Sequence, residues 1–172
     1  MCLDARYTMA KIGFETLDVL VVDPSPHLTT LVVSMLRHLK VGKVQEAASS
    51  SAALTKLQQR KFNVVVIEDN IAPVDGVELT KTLRAMTDCP SRDAAVIMMS
   101  SSPGAARIAE ARDAGITEFL RKPFAANHLA TRLESILVAP RAFIAAPGYA
   151  GPDRRRRERS PSGPERRRSS AE

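Results

Sequence analysis

Residues 62–69 read FNVVVIED, and this stretch decides the fold. Its apolar run ends abruptly in Glu68 and Asp69, which is typical of a strand that is buried on both faces of a parallel sheet. Four further strands are predicted at residues 17–22, 43–47, 94–99 and 116–120. The chain therefore has five candidate strands, and the third is the strongest.

Amphipathic stretches follow each predicted strand. The first spans residues 26–39, with Leu28, Leu31, Val32, Met35 and Leu36 at helical spacing. Similar stretches occupy residues 50–60, 77–86, 103–114 and 125–138. Regular alternation of strand and helix predicts an α/β fold in which helices cover both faces of a parallel sheet.

Polar residues follow the predicted strands at their carboxyl ends, where functional groups gather in such folds. These residues are Asp23, Glu68, Asp69, Ser100 and Lys122. Carboxylates, a hydroxyl and a lysine at one edge of a sheet predict a site for a metal ion or a phosphoryl group.

The composition limits the classes of protein that fit. The chain has 172 residues and 44% hydrophobic residues, enough for a folded core. No apolar run approaches the ~18 residues of a membrane span, and residues 1–15 lack a secretory signal. We therefore expect a cytoplasmic protein. The absence of Trp and an aromatic content of 4% disfavour a surface that stacks on nucleic-acid bases.

The basic charge is concentrated in the last 32 residues, since nine of the 25 Lys and Arg side chains lie in residues 141–172. This segment repeats GPDRRR (151–156) as GPERRR (163–168). It could be a solvated charge run, a nonspecific and salt-sensitive binder of nucleic acid or anionic membrane, or a protein-binding arm. In the last case Phe143, Ile144 and Tyr149 are the expected anchors, and a second copy of the chain would give a two-fold homodimer.

Three motifs in their order resemble the receiver domain of two-component response regulators: VLVVD (19–23), VIMMS (96–100) and AGITEFLRKPF (114–124). The resemblance covers residues 16–138, preceded by an extension (1–15) and followed by an Arg-rich arm (139–172). It implies the flavodoxin-like, doubly wound, five-stranded parallel sheet, here with a C-terminal extension. It also implies a signalling protein of a phosphorelay, in which an aspartate takes phosphate from a histidine kinase. Lys122 and Ser100 would bind phosphoryl oxygens, and Phe119 would rotate inward.

The sequence departs from the receiver pattern at two positions. Pro24 follows Asp23 where the family has a second metal-binding acid, so Mg²⁺ should bind weakly at most and no other cofactor is expected. In the family the acceptor usually lies eight residues before a glycine, and counting back from Gly76 puts Glu68 at that position. The acceptor also usually lies four residues before a loop proline, and counting back from Pro73 gives Asp69 instead. We favour Glu68, because a shift by one residue would turn every side chain of the strand to the other face. We expect Glu68 to reach Lys122.

These features predict a stand-alone, degenerate receiver, not an enzyme, that binds a sensor histidine kinase or a phosphotransfer protein without accepting phosphate. It would act as a decoy or scaffold. The expected docking residues are His27, Leu28, Leu31, Pro123 and Phe124. Two alternatives stay open: a receiver phosphorylated on Asp69, and a nucleic-acid accessory protein that acts through the arm.

Overall fold

The computed structural model describes residues 13–154, and five of its strands form one parallel sheet. They are β1 (Asp18–Val22), β2 (Lys43–Ala47), β3 (Val64–Glu68), β4 (Ala95–Ser100) and β5 (Glu118–Arg121). Their order across the sheet is β2-β1-β3-β4-β5. The predicted α/β fold with a doubly wound, flavodoxin-like sheet is confirmed.

Five helices connect and follow the strands: α1 (Pro26–His38), α2 (Ser50–Gln59), α3 (Gly76–Ala85), α4 (Ala105–Asp113) and α5 (Ala126–Val138). The first three begin at side chains that accept bonds from free backbone N–H groups. Ser25 caps α1, Ser49 caps α2, and Asp75 accepts from both Val77 N and Glu78 N at the start of α3. The helix α4 has no such side-chain cap at Gly104.

The sheet separates two apolar layers, because alternate residues of each strand point to opposite faces. Val65 and Ile67 of β3 pack toward α2, α3 and α4, together with Leu57 and Leu83. Val64 and Val66 pack on the other face, among residues of α1 and α5. This two-sided burial explains why β3 is an unbroken apolar run.

Most of the apolar stripe predicted for α1 faces the core, since Val32 and Leu36 are buried. Leu31 shares the spacing of that stripe and is also an expected docking residue; it is 46% exposed, and Val33 is buried. Both residues are apolar, so the pattern alone did not separate them. Upstream, Phe14 is buried in the core although the predicted domain begins at residue 16.

A β-hairpin follows the fifth helix, in the segment predicted as the start of the arm. Its strands β6 (Phe143–Ala146) and β7 (Tyr149–Pro152) pair antiparallel around Gly148, which has a φ of 81°. The hairpin lies near the amino end of β5, since a Cβ on Gly115 would meet Ala150 O at 2.9 Å. It is therefore remote from the carboxyl edge of the sheet. The second copy of the arginine repeat, at residues 163–168, lies outside the described residues.

No helix within residues 13–154 is both long and apolar enough to cross a bilayer.

Candidate functional site

Four of the five residues predicted at the carboxyl edge of the sheet lie together: Asp23, Glu68 and Ser100 surround Lys122. Glu68 ends β3 and Ser100 ends β4, while Asp23 and Lys122 directly follow β1 and β5. Because β1, β3, β4 and β5 are consecutive neighbours in a parallel sheet, their carboxyl ends meet at one edge.

Lys122 joins the two carboxylates of this edge. Its Nζ donates a hydrogen bond to Glu68 Oε2 and lies 3.4 Å from Asp23 Oδ2. The side chains of Lys122 and Glu68 are 16% and 12% exposed, and that of Asp23 is 1% exposed. The predicted contact between Glu68 and Lys122 is confirmed. One ammonium group is therefore shared by two nearly buried carboxylates.

The remaining oxygens of the two acids accept backbone hydrogen bonds. Asp23 Oδ1 accepts from Ser25 N at 2.8 Å, across Pro24. Glu68 Oε1 accepts from Asn70 N at 3.3 Å. All four carboxylate oxygens thus have a partner within the chain, which fixes both side chains.

Asp69, the alternative acceptor, is bonded to Arg107 of α4 instead of Lys122. Arg107 Nε and Nη2 donate to Asp69 Oδ1 at 3.0 and 2.6 Å. The same guanidinium lies 3.1 Å from Asp75 Oδ2 and donates to Glu110 Oε2 at 2.8 Å. Its hydrogen bond to Asp69 raises the pKa of Arg107 above the usual range, despite partial burial. Burial would raise the pKa of Asp75, but the N–H of Glu78 and the charge of Arg107 outweigh it and lower that pKa.

Ser100 contacts Lys122 through the backbone, and Phe119 packs elsewhere on the sheet. Ser100 is 6% exposed, and its carbonyl accepts from Lys122 N at 2.9 Å. Phe119 is half-buried against the layer of α2, α3 and α4. Its carbonyl accepts from Arg132 Nε at 3.0 Å.

The donor set does not fit a tightly held divalent ion, although the resemblance implies Mg²⁺ at this edge. Mg²⁺ needs several oxygen ligands in near-octahedral geometry. Asp23 and Glu68 already bind the Lys122 ammonium, and Pro24 supplies no carboxylate. Within residues 13–154, no three His, Cys, Asp or Glu side chains form a group that could hold a metal. That Mg²⁺ binds weakly at most stays a prediction.

Four of the five predicted docking residues line one apolar groove. Leu28 and Leu31 of α1 face Pro123 and Phe124 of the loop after β5, around a cavity of about 340 Å³. His27 is exposed on the same helix but does not line the groove. Lys122 also reaches the groove, so it adjoins the ion-paired site directly.

The expected arm anchors Phe143 and Tyr149 contact their own chain. The Phe143 ring lies 5.7 Å from the guanidinium carbon of Arg84 and 5.4 Å from that of Arg92. The Tyr149 hydroxyl donates to Pro152 O at 2.6 Å, and Arg154 stacks on its ring at 4.0 Å. Ile144 is 37% exposed. Whether these residues also bind a second copy stays a prediction.

Two arginines with several hydrogen bonds, Arg107 and Arg84, were not predicted from the sequence. Arg107 carried no signal, because it lies 38 residues from Asp69 on a short polar helix. Arg84 is 2% exposed and donates to the carbonyls of Ala94 and Gly115 beneath the hairpin. Burial lowers its pKa to about 10. A buried arginine in an otherwise ordinary helix pattern could not be identified without the fold.

Comparison with known proteins points to one family. Residues 19–134 match the model of the response regulator receiver domain. The chemotaxis protein CheY-3 of Vibrio cholerae is 30% identical over 128 residues, covering 74% of this chain and 97% of that protein. CheY of Pseudomonas aeruginosa is 28% identical over 118 residues, covering 69% of this chain and 94% of that protein.

Solved structures agree with this match. The chemotaxis protein CheY4 of Vibrio cholerae superposes with a TM-score of 0.65 at 26% identity, covering 70% of this chain and 98% of that one. The receiver domain of the sensor histidine kinase PA1611 from Pseudomonas aeruginosa was solved with a magnesium ion in its active-site cleft. It shares the fold of this chain with a TM-score of 0.62 at 21% identity, and the match covers 71% of this chain and 97% of that one. This chain belongs to the response regulator receiver domain family of two-component signalling.

Proposed function

We propose that this receiver binds a sensor histidine kinase or a phosphotransfer protein without accepting phosphate, and so acts as a decoy or scaffold in a two-component pathway. One observation carries the proposal: the ammonium group of Lys122 is already bonded to Glu68 and lies 3.4 Å from Asp23. The group that would bind an incoming phosphoryl oxygen therefore has two anionic partners of its own.

The chemistry of phosphoryl transfer supports this reading. The attacking carboxylate and the phosphoryl group are both anionic, so transfer depends on positioning and on positive charge at the site. Glutamate carries its carboxylate one methylene further out than aspartate, and small misplacements can cost on the order of 100-fold in rate. Pro24 in place of an acid weakens the metal site independently. The combination predicts that phosphate transfer fails.

The position of Glu68 favours it over Asp69 as the equivalent of the acceptor. Glu68 lies eight residues before Gly76 and beside Lys122, as the family spacing implies. Asp69 is held by two hydrogen bonds from Arg107 on the other side of the loop.

The apolar groove is the docking surface of this proposal. Leu31 is a large apolar side chain that is 46% exposed in the middle of α1, where an ordinary helix pattern would bury it. Exposed apolar groups that line a concave surface beside charged residues are typical of protein–protein sites. A partner helix with an apolar stripe would fit between α1 and the loop after β5.

Titration calorimetry against every histidine kinase and phosphotransfer protein of its own genome tests docking. We expect at least one partner, with affinity reduced about tenfold or more by Leu31→Asp or Phe124→Ala, since interface energy concentrates in a few buried side chains. Val138→Asp is the matched control, because Val138 is 73% exposed at the far end of α5. Absence of any partner, or equal loss in the control, contradicts the proposal.

A receiver phosphorylated on Asp69 is the second candidate, favoured by the spacing of four residues to Pro73. It requires that acetyl phosphate label the protein and that Asp69→Ala abolish the label while Glu68→Ala does not. Our proposal predicts no label in any of the three proteins.

The arm leaves two further predictions. Ile144 is exposed and could contact a partner, whereas Phe143 and Tyr149 have contacts within the chain. The Arg-rich residues after Arg154 lie outside the described residues. Sedimentation of the full chain and of a chain that ends at Arg154, with and without Ile144→Asp, tests homodimerisation. Nucleic-acid binding would instead disappear with residues 155–172 and fall steeply with added salt.

A further inference from the structure

The helix α4 has little apolar attachment to the sheet. Ala111 is its only buried residue, and Ile108, its one large apolar side chain, is 44% exposed. Burying one alanine contributes far less than the ~1.5–3 kcal/mol of a large apolar side chain. Its first turn also lacks a side-chain cap. Some other interaction must fix the position of this helix.

Arg107 supplies that interaction from the first turn of α4. Its guanidinium donates to Asp69 at 3.0 and 2.6 Å and lies 3.1 Å from Asp75, so it spans both ends of the loop between β3 and α3. The side chains of Arg107 and Asp69 are 26% and 15% exposed. Arg107 Nε and Nη2 converge on the single oxygen Oδ1 of Asp69, and such charge-assisted hydrogen bonds are stronger than bonds between neutral groups.

The other charges around this contact are accounted for. Glu110, one turn further along α4, accepts from Arg107 Nη1 at 2.8 Å and lies 3.6 Å from Lys81 Nζ of α3. Lys81 also bonds Glu78 at 2.6 Å. These partners are about half exposed, so they contribute less than the bond to Asp69.

We propose that Arg107 is a positioning residue that latches α4 to the loop after β3 through Asp69. The carboxylate of Asp69, adjacent in sequence to Glu68, thereby sets the position of α4. This connects the edge of the sheet to an exposed helix by a path that uses neither Ser100 nor Phe119. The inference does not depend on kinase binding and would stand if the proposed function failed.

Hydrogen exchange of the α4 amides in the full chain tests the latch. We expect exchange to be about tenfold faster or more in Arg107→Gln, because the charge-assisted hydrogen bonds that hold α4 to Asp69 are lost. Asp69→Ala, which removes the oxygen that accepts both bonds, should also speed exchange. The double variant should exchange no faster than Arg107→Gln alone, since that variant has already lost the pair.

Arg112→Gln is the matched control on the same helix, because Arg112 is 59% exposed and its Nε lies 3.4 Å from the adjacent, exposed Asp113. Amides of β1 and β3 in the same experiment report whether each variant remains folded. Equal effects of Arg107→Gln and Arg112→Gln would overturn the latch. Fast exchange of α4 in Arg107→Gln with unchanged exchange in Asp69→Ala would also overturn it, because the contact would then be assigned to Asp75 or Glu110.

Discussion

Replacing Lys122 by methionine should destabilise the domain more than any surface charge deletion. Methionine keeps the length of the side chain and removes its charge, leaving Glu68 and Asp23 without their cation. Breaking a buried pair by removing one partner costs about 3–5 kcal/mol. Since Lys122 is 16% exposed, we expect about 3 kcal/mol, the lower end of that range.

The loss should be partly recovered by neutralising the acid left behind. In the Lys122→Met background, Glu68→Gln removes an uncompensated charge, so the double variant should be more stable than Lys122→Met alone. Urea denaturation followed by circular dichroism measures the free energy of unfolding of all four proteins in the cycle.

Lys61→Met is the control for this cycle. Lys61 and its partner Asp93 are 61% and 52% exposed at 3.4 Å, so their pair should contribute less than about 1 kcal/mol. The reasoning is refuted if Lys122→Met costs no more than Lys61→Met, or if Glu68→Gln lowers the stability of the Lys122→Met protein further.

Three other changes have definite expected outcomes. Phe143→Ala should lower the free energy of unfolding by about 1–2 kcal/mol, because a half-buried ring and its contacts with two arginines are lost. Ile144→Ala should change it by less than about 0.5 kcal/mol in the same urea assay, because Ile144 lies on the exposed side of the hairpin. Gly115→Ala should lower the free energy of unfolding by about 1–3 kcal/mol, because Gly115 has a φ of 92° and the new Cβ would meet Ala150 O at 2.9 Å. Gly104→Ala is the control, because a Cβ at Gly104 would meet no atom within 4 Å. Above pH 3.8, the ordinary carboxyl pKa, Asp75→Asn should have a lower free energy of unfolding than the parent chain. This difference in free energy should vanish as the pH falls through the lowered pKa of Asp75. A difference that stays constant down to pH 2 would contradict this.

The sheet and the helix starts could be predicted because they depend on neighbours in the sequence. The run at 64–67 fixes β3, and Ser25 with Pro26 or Asp75 with Gly76 marks a helix start within two residues. The same reasoning predicted the contact of Glu68 with Lys122, since parallel strands bring their carboxyl ends together.

The remaining features depend on contacts between distant segments. Whether Leu31 or Val33 faces the core depends on the rotation of α1 about its axis against the sheet. The spacing of apolar residues along α1 does not determine that rotation. The bond from Arg107 to Asp69 depends on where α4 lies. The hairpin, in contrast, has a local signal in the sequence: Pro147-Gly148 is a common turn pair and lies between apolar residues. The hairpin was not predicted from it.

The central claim is that this receiver does not accept phosphate, and intact mass after incubation with acetyl phosphate and Mg²⁺ tests it most directly. The parent chain, the double variant Pro24→Asp/Glu68→Asp and a conventional receiver are treated side by side. We predict no mass gain in the parent chain and a gain of one phosphate in the conventional receiver and in the double variant, which has the second acid at position 24 and an aspartate at the acceptor position. One phosphate on the parent chain, whether on Glu68 or Asp69, would contradict it.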